Sequence, residues 1–73
     1  MISVRDEDVA VPALIEALSD EKEEVRANAA TALQAHGPKA KTAVPALKKA
    51  LKDESESVRK AVRHALQRIE GKE

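Results

Sequence analysis

Apolar residues recur along this chain at helical spacing. In the first half they form two successive stripes, Val11, Leu14, Ile15 and Leu18, and then Val25, Ala29, Ala32 and Leu33. Steps of three and four residues place each stripe on one side of an α-helix. The second half repeats the pattern with Val44, Leu47 and Leu51, followed by Val58, Val62, Ala65, Leu66 and Ile69. Because no segment alternates as a strand does, the pattern predicts an all-α fold of four antiparallel helices.

The two halves are copies of each other at an offset of 33 residues. Ala10-Val11-Pro12-Ala13-Leu14 recurs as Ala43-Val44-Pro45-Ala46-Leu47, and the copies share 15 of 28 aligned positions. Two helices in each copy are typical of a short α-solenoid built from helix-turn-helix repeats. We therefore predict one domain, 1–73, with an N-terminal segment 1–8, a first repeat at about 9–37 and a second at about 42–71.

Polar residues and prolines mark the expected helix ends. Ser19-Asp20-Glu21 and Lys52-Asp53-Glu54 place capping side chains between the apolar stripes, and Ser55 can cap the last helix directly. Pro12 and Pro45 fit the first turn of the first helix in each repeat, helix A, because a missing N–H donor costs little there. If 38–42 is also helical, Pro45 marks a kink.

The repeated motifs resemble the HEAT repeat family, specifically the short HEAT-like repeats named after phycobilisome lyases. The matching motifs are A-V-P-A-L at the start of helix A, D-E and V-R at the turn, and A-L in the second helix, helix B; they cover 9–71. The resemblance implies a polar ladder along the stack, formed by Asp20, Arg26, Asp53 and Arg59. It also implies that helix B lines a concave surface that binds proteins, although the fold alone does not specify the partner.

Seven side chains project from the outward face of helix B and are candidate partner-binding residues. They are Asn28, Thr31, Gln34, Lys60, His64, Gln67 and Arg68. The competing interpretation is an ordinary solvated helix surface, because binding hot spots are usually aromatic or Arg and the chain has no aromatic residue.

The two ends of the repeat pair differ in character. Where a third repeat would dock, long cations replace small or apolar residues: Ile15 becomes Lys48, Ala27 becomes Lys60, Ala30 becomes Arg63 and Ala35 becomes Arg68. The second repeat is therefore expected to be a cap. At the other end, Met1, Ile2, Val4 and Val9 either fold over the open face of the first repeat or leave it uncovered.

Composition narrows the chemistry. The chain is 42% apolar and 36% charged, with no Cys and two His, so disulfides and a thiolate or zinc site are excluded and no cofactor is expected. Its apolar residues comprise 14 Ala and only 17 larger aliphatic residues, so the core is thin, and helix propensity, oligomerisation or a longer array must add stability. No apolar run is long enough to span a membrane and no signal peptide is recognisable, so a cytoplasmic location is the default.

Charge is distributed unevenly. Residues 1–37 carry 3 basic and 8 acidic groups, whereas residues 38–73 carry 10 basic and 5 acidic groups. The basic side chains are a solvated cap, a complement to the acidic Asp6–Asp8 and Glu21–Glu24 stretches of another copy, or a site for nucleic-acid phosphates. The zero net charge and the lack of stacking aromatics speak against nucleic acid.

No constellation suited to catalysis is present. His64 has no nucleophile or carboxylate pair at a useful spacing, and His36 fits a role at a helix C-terminus. The sequence therefore predicts a non-enzymatic protein-binding or scaffold module. The alternatives are a nucleic-acid backbone binder, or a designed or excised repeat unit without a native function.

Overall fold

The chain folds into two antiparallel helix pairs. The computed structural model describes residues 5–71, apart from the side chains of Asp6 and Glu7. Its elements are α1 (Asp6–Ala17), α2 (Glu23–His36), a 3₁₀ helix (Gly37–Ala43), α3 (Val44–Ala50) and α4 (Glu56–Glu70). No strand occurs within that part of the chain. The all-α prediction is confirmed. Of the four residues whose place at the first repeat was left open, Val9 is 63% exposed, while Met1, Ile2 and Val4 lie outside the described residues.

Helix α1 begins earlier than its proline indicates. Pro12 lies inside α1, so its predicted place in the first turn is wrong. An interior proline removes the N–H that would reach the carbonyl of Asp8. Both Asp8 and Pro12 are exposed, and water can therefore replace the lost bond. Helix α1 thus starts within the segment 1–8, and the predicted repeat boundaries stay a prediction.

The second helix A has two parts. Gly37 ends α2 at a φ of 63°, which turns the chain where a side chain would be strained, and Pro38 follows in the first turn of the 3₁₀ helix. Ala40 departs from helical geometry, and α3 then starts at Val44 with Pro45 in its first turn. The predicted position of Pro45 in a first turn is confirmed, but the break in the helix lies at Ala40 and not at Pro45.

The two turns between helices A and B close in similar ways. The Asp20 carboxylate oxygen Oδ1 accepts a hydrogen bond from the Lys22 backbone N–H at 2.9 Å, and Asp53 Oδ1 accepts one from the Ser55 N–H at the same distance. Only the second helix B has a side-chain cap, in which Ser55 Oγ accepts from the Val58 N–H at 3.4 Å. The predicted Ser55 cap is therefore confirmed.

The core lies mainly between α2 and α4, which make the most extensive helix contact of the described chain. Its largest fully buried side chains are Leu33, Leu47, Val58 and Val62. Leu51 departs from the predicted apolar stripe because it is 37% exposed, whereas its counterpart Leu18 is 6% exposed. The helical period is the same at both positions, but only Leu18 has another repeat beside it.

Four small or apolar residues of the first repeat are replaced by cations in the second repeat, and at three of these positions the cation is exposed because no further repeat packs against it in the described chain. Lys48, Lys60 and Arg63 are exposed, whereas Ala30, the counterpart of Arg63, is completely buried. The fourth expectation is wrong, because Ala35 is exposed as well and its change to Arg68 marks no docking face. Among the described helices, none is long and apolar enough to cross a membrane.

Candidate functional site

A shallow groove runs between the two B helices, α2 and α4. Its volume is about 260 Å³, and its lining consists of Thr31, Gln34, Ser57, Lys60, Ala61 and His64. We call it the helix B groove. Thr31 and Gln34 are one turn apart on α2, and the other four lie on three consecutive turns of α4, so helical spacing aligns both rows along the groove.

Four of the seven candidate partner-binding residues meet in this groove: Thr31, Gln34, Lys60 and His64. The remaining three, Asn28, Gln67 and Arg68, are exposed but lie outside its lining. Arg68 belongs to α4, but its side chain lies beside the C-terminal end of α2. Its Nε is 3.8 Å from the point that a Cβ on Gly37 would occupy. These three residues border the groove instead of forming it.

Sequence reasoning missed Ser57 and Ala61 in the lining. Each lies three residues before a recognised position, since Ser57 precedes Lys60 and Ala61 precedes His64 at that spacing. Their helical spacing could have predicted that they lie on the same face as Lys60 and His64. Their short, uncharged side chains gave no further reason to select them. They leave the room in which a partner's side chains can lie.

The lining of the helix B groove is polar and carries no carboxylate. It offers two hydroxyls, an amide, the Lys60 ammonium and the His64 imidazole, which together donate and accept hydrogen bonds. Within residues 5–71, no group of three or more His, Asp or Glu side chains converges in a way that could hold a metal ion. The groove is suited to binding polar or acidic side chains.

Arg26 joins the turns of the two repeats. Its Nη1 donates to the backbone oxygens of Asp20, at 2.8 Å, and Glu21, at 3.0 Å, in the turn of its own repeat. Its Nε and Nη2 donate to the Asp53 carboxylate of the next repeat at 2.8 and 3.1 Å. This two-pronged contact fixes both distance and orientation between the repeats.

The ladder continues in the second repeat but lacks a next step. Arg59 Nη1 donates to the backbone oxygen of Asp53 at 2.7 Å, as Arg26 does to Asp20. Within the described residues, Arg59 Nε and Nη2 have no carboxylate to bind, and no arginine reaches the Asp20 carboxylate. Each end of the molecule therefore presents one half of the ladder contact.

The contact between Arg26 and Asp53 also shifts the pKa of both groups. Hydrogen bonds from Arg26 hold the pKa of the Asp53 carboxyl below its ordinary value of 3.8, against the opposing effect of burial, and the Ser55 N–H and the Arg59 charge act in the same direction as Arg26. The same contact with Asp53 raises the pKa of the Arg26 guanidinium. Both groups are therefore charged at neutral pH.

A second groove lies on the other side of the repeat junction, between α1 and α3. Its volume is about 480 Å³, and we call it the helix A groove. It is lined by Ile15, Leu18, Ser19, Pro45, Ala46, Lys49, Ala50, Lys52 and Asp53. Because residues of both repeats line it, this groove spans the junction between the repeats.

The fold and the ladder define an α-helical repeat protein in which equivalent turns are joined by arginine and aspartate. The family model for HEAT repeats matches residues 4–73, and the chain belongs to the HEAT repeat family. Members of this family commonly act as scaffolds for protein interactions and are generally non-enzymatic. The match is to HEAT repeats in general, so the phycobilisome-lyase subtype stays a prediction. No curated protein sequence and no solved structure gives a significant match to the chain.

Proposed function

We propose that this chain is a non-enzymatic protein-binding module whose partner docks in the helix B groove. The observation that carries this proposal is the convergence of Thr31 and Gln34 from α2 with Lys60 and His64 from α4 on one groove. The common role of HEAT repeats as interaction scaffolds supports it.

The size of the groove favours a peptide segment over a small molecule. At about 260 Å³ the helix B groove is smaller than the roughly 300 to 1,000 Å³ of typical small-molecule sites. One or two side chains of a protein partner fit such a space. Asn28 at one end and Gln67 and Arg68 at the other are exposed, and they extend the contact along the partner.

The charge of the groove specifies the chemistry of that segment. Lys60 is the cation in the lining, and the lining contains no carboxylate. An acidic or phosphorylated side chain between hydroxyl and amide donors gains charge-assisted hydrogen bonds there. We therefore propose an acidic peptide segment of another protein as the partner.

A displayed library of random peptides tests this proposal. Peptides selected on the wild-type chain are expected to be enriched in Asp and Glu, and Lys60→Glu is expected to weaken their binding by at least about tenfold, because like charges then meet. Lys41→Glu is the matched control, since it makes the same charge change at an exposed position of the 3₁₀ helix outside the groove. Equal binding by Lys60→Glu and wild type would contradict the proposal.

Nucleic acid is the other outcome of the same test. The cations of the second repeat are divided, because Lys49 and Lys52 line the helix A groove whereas Lys60 lines the helix B groove. A phosphate backbone would need them on one track. Labelled duplex DNA and RNA are therefore expected not to compete with the selected peptides at low salt. Competition that disappears with added salt would replace the peptide proposal with phosphate binding.

A further inference from the structure

In the part of the chain that the structure describes, the first repeat leaves half-buried an apolar face whose counterpart in the second repeat is completely buried. Four apolar residues of the second repeat are completely buried: Ala43, Leu47, Val58 and Ala65. The equivalent residues of the first repeat, 33 positions earlier, are only half-buried: Ala10, Leu14, Val25 and Ala32. The second repeat is covered because α2 packs against α4 and α1 packs against the 3₁₀ helix. We call the half-buried surface of Ala10, Leu14, Val25 and Ala32 the leading face.

The opposite end presents an exposed leucine among cations. We define the trailing face by Lys48, Leu51, Arg59, Lys60 and Arg63, which are counterparts of Ile15, Leu18, Arg26, Ala27 and Ala30 at the junction inside the chain. Leu51 is 37% exposed there, whereas Leu18 is 6% exposed. Another repeat that docked on this face, in the geometry of the junction inside the chain, would cover Leu51 as the second repeat covers Leu18.

Each half of the ladder contact is already held in its bonding geometry at these faces. Asp20 keeps the turn bond to the Lys22 N–H, as Asp53 does to the Ser55 N–H, and both bonds are 2.9 Å long. The Arg59 Nη1 bond of 2.7 Å to its own turn matches the 2.8 Å bond of Arg26. Bringing Arg59 of one copy to Asp20 of another therefore requires no rearrangement of either turn.

Opposite charges line such a junction. Ile15 and Lys49 both line the helix A groove inside the chain, and at a junction between copies their places are taken by Lys48 and Glu16. A cation of one copy and a carboxylate of the next would therefore line the same groove, and their attraction favours the contact.

We infer that copies of this chain associate head to tail, with the trailing face of one copy on the leading face of the next, repeating the internal step. Such a contact is heterologous, so it produces open filaments or rings instead of a closed dimer. The inference goes beyond the peptide-binding proposal, because it uses the end faces of the molecule. Lys60 belongs both to the trailing face and to the lining of the helix B groove, whereas Glu16 and Lys48 lie outside that lining. Stacked copies would align their helix B grooves into one longer surface.

The mass of the intact chain in solution tests this inference directly. Light scattering with refractive-index detection, which suits a chain without Trp or Tyr, is measured over a range of protein concentrations. At about 0.05 M salt the average mass is expected to rise with concentration beyond that of a dimer, and at about 1 M salt it is expected to fall. A monomer at every concentration, or a mass that stops at the dimer, would overturn the inference.

Charge reversal identifies the surfaces. Glu16→Lys places two cations opposite each other at the junction, and Lys48→Glu places two carboxylates there, so each variant alone is expected to associate at least about tenfold more weakly. An equimolar mixture of the two restores opposite charges at every junction, and its mass is expected to recover. The double variant Glu16→Lys/Lys48→Glu recovers on its own for the same reason.

Matched controls separate this effect from loss of folding. Lys41→Glu changes the net charge as Lys48→Glu does but lies at an exposed position of the 3₁₀ helix, and it is expected to associate as the wild type does. Helix content by circular dichroism is expected to be unchanged in all variants. An equal loss of mass in Lys41→Glu, or a mixture that fails to recover, would exclude a specific head-to-tail contact. Peptide binding in the helix B groove is measured separately on Glu16→Lys and is expected to be retained.

Discussion

The guanidinium of Arg26 holds the carboxylate of Asp53 through two hydrogen bonds, Nε to Oδ2 at 2.8 Å and Nη2 to Oδ1 at 3.1 Å. Both side chains are only 11% exposed, and the third guanidinium nitrogen is bound to the preceding turn. One side chain thus spans two consecutive turns that are 33 residues apart in sequence. In a core made of short side chains, this contact defines the register between repeats, which apolar packing alone specifies weakly.

The Arg26–Asp53 pair makes the free energy of unfolding depend on pH in the acidic range. The pKa of Asp53 is lower in the folded chain than in the unfolded chain, so its stabilising contribution is complete above the ordinary value of 3.8 and is lost as the pH falls through the folded pKa. We expect Asp53→Asn to be less stable than wild type at neutral pH, and the gap to close as the pH falls from 3.8 through the lower pKa of Asp53 in the folded chain. Urea denaturation across this pH range measures it.

Asp20→Asn is the matched control for that experiment. The Asp20 carboxylate makes the same turn bond as that of Asp53, but within the described residues no arginine side chain binds this carboxylate. Asparagine keeps a carbonyl oxygen for the turn, so Asp20→Asn is expected to lower the free energy of unfolding less than Asp53→Asn does. A gap between wild type and Asp53→Asn that is the same at every pH would show that the Arg26 contact is not the source of the effect.

Periodicity and the repeat offset predict the fold well because both are properties of the sequence itself. The stripes of helix B, the Ser55 cap and the place of Pro45 follow from local chemistry. The start of α1 does not, because a proline that fits a first turn equally well lies in a helix interior when the exposed carbonyl of Asp8 can bind water. The prediction that Leu51 is buried is wrong for another reason. Its exposure depends on whether another repeat packs against it, and the helical period does not contain that information.

The site is less predictable than the fold. Outward positions on helix B follow from the helical period, but which of them share a groove depends on the offset between α2 and α4, and the two neutral lining residues Ser57 and Ala61 lack any chemical signal. The position of the Arg68 side chain near Gly37, outside the groove, likewise depends on how the helices pack. The seven candidate positions therefore stay a prediction until binding is measured.

Equivalent leucines in the two repeats should differ in their importance. Leu47 is completely buried, while Leu14, its counterpart, is half-buried on the leading face. Leu47→Ala is expected to cost about 2 to 5 kcal/mol as a core truncation, and Leu14→Ala about 1 kcal/mol. Urea unfolding at high salt, where association is weakest, compares the two. Equal losses would mean that the leading face is as well covered as the core.

The same comparison applies to position 30 and its counterpart. Ala30 is completely buried beside α4, so Ala30→Arg forces a charged side chain into the junction and is expected to cost several kcal/mol or to prevent folding. Arg63 is exposed, and Arg63→Ala is expected to change the free energy of unfolding by less than about 0.5 kcal/mol. Thermal melts at high salt separate these outcomes. A severe loss in Arg63→Ala would mean that this side chain stabilises the monomer.

The two B helices begin with the same backbone geometry but different caps. Lys22 and Ser55 both have φ −88° and ψ 127°, yet only Ser55 offers an oxygen to the helix, at 3.4 Å from the Val58 nitrogen. Ser55→Ala is expected to cost about 1 kcal/mol, and Lys22→Ser is expected to add up to about the same, because serine then accepts from the Val25 N–H as Ser55 does from Val58. Chemical denaturation of both variants measures the pair. If Lys22→Ser adds nothing while Ser55→Ala is destabilised, the two turns differ in more than the cap residue, and the equivalence on which the head-to-tail junction depends would be weakened.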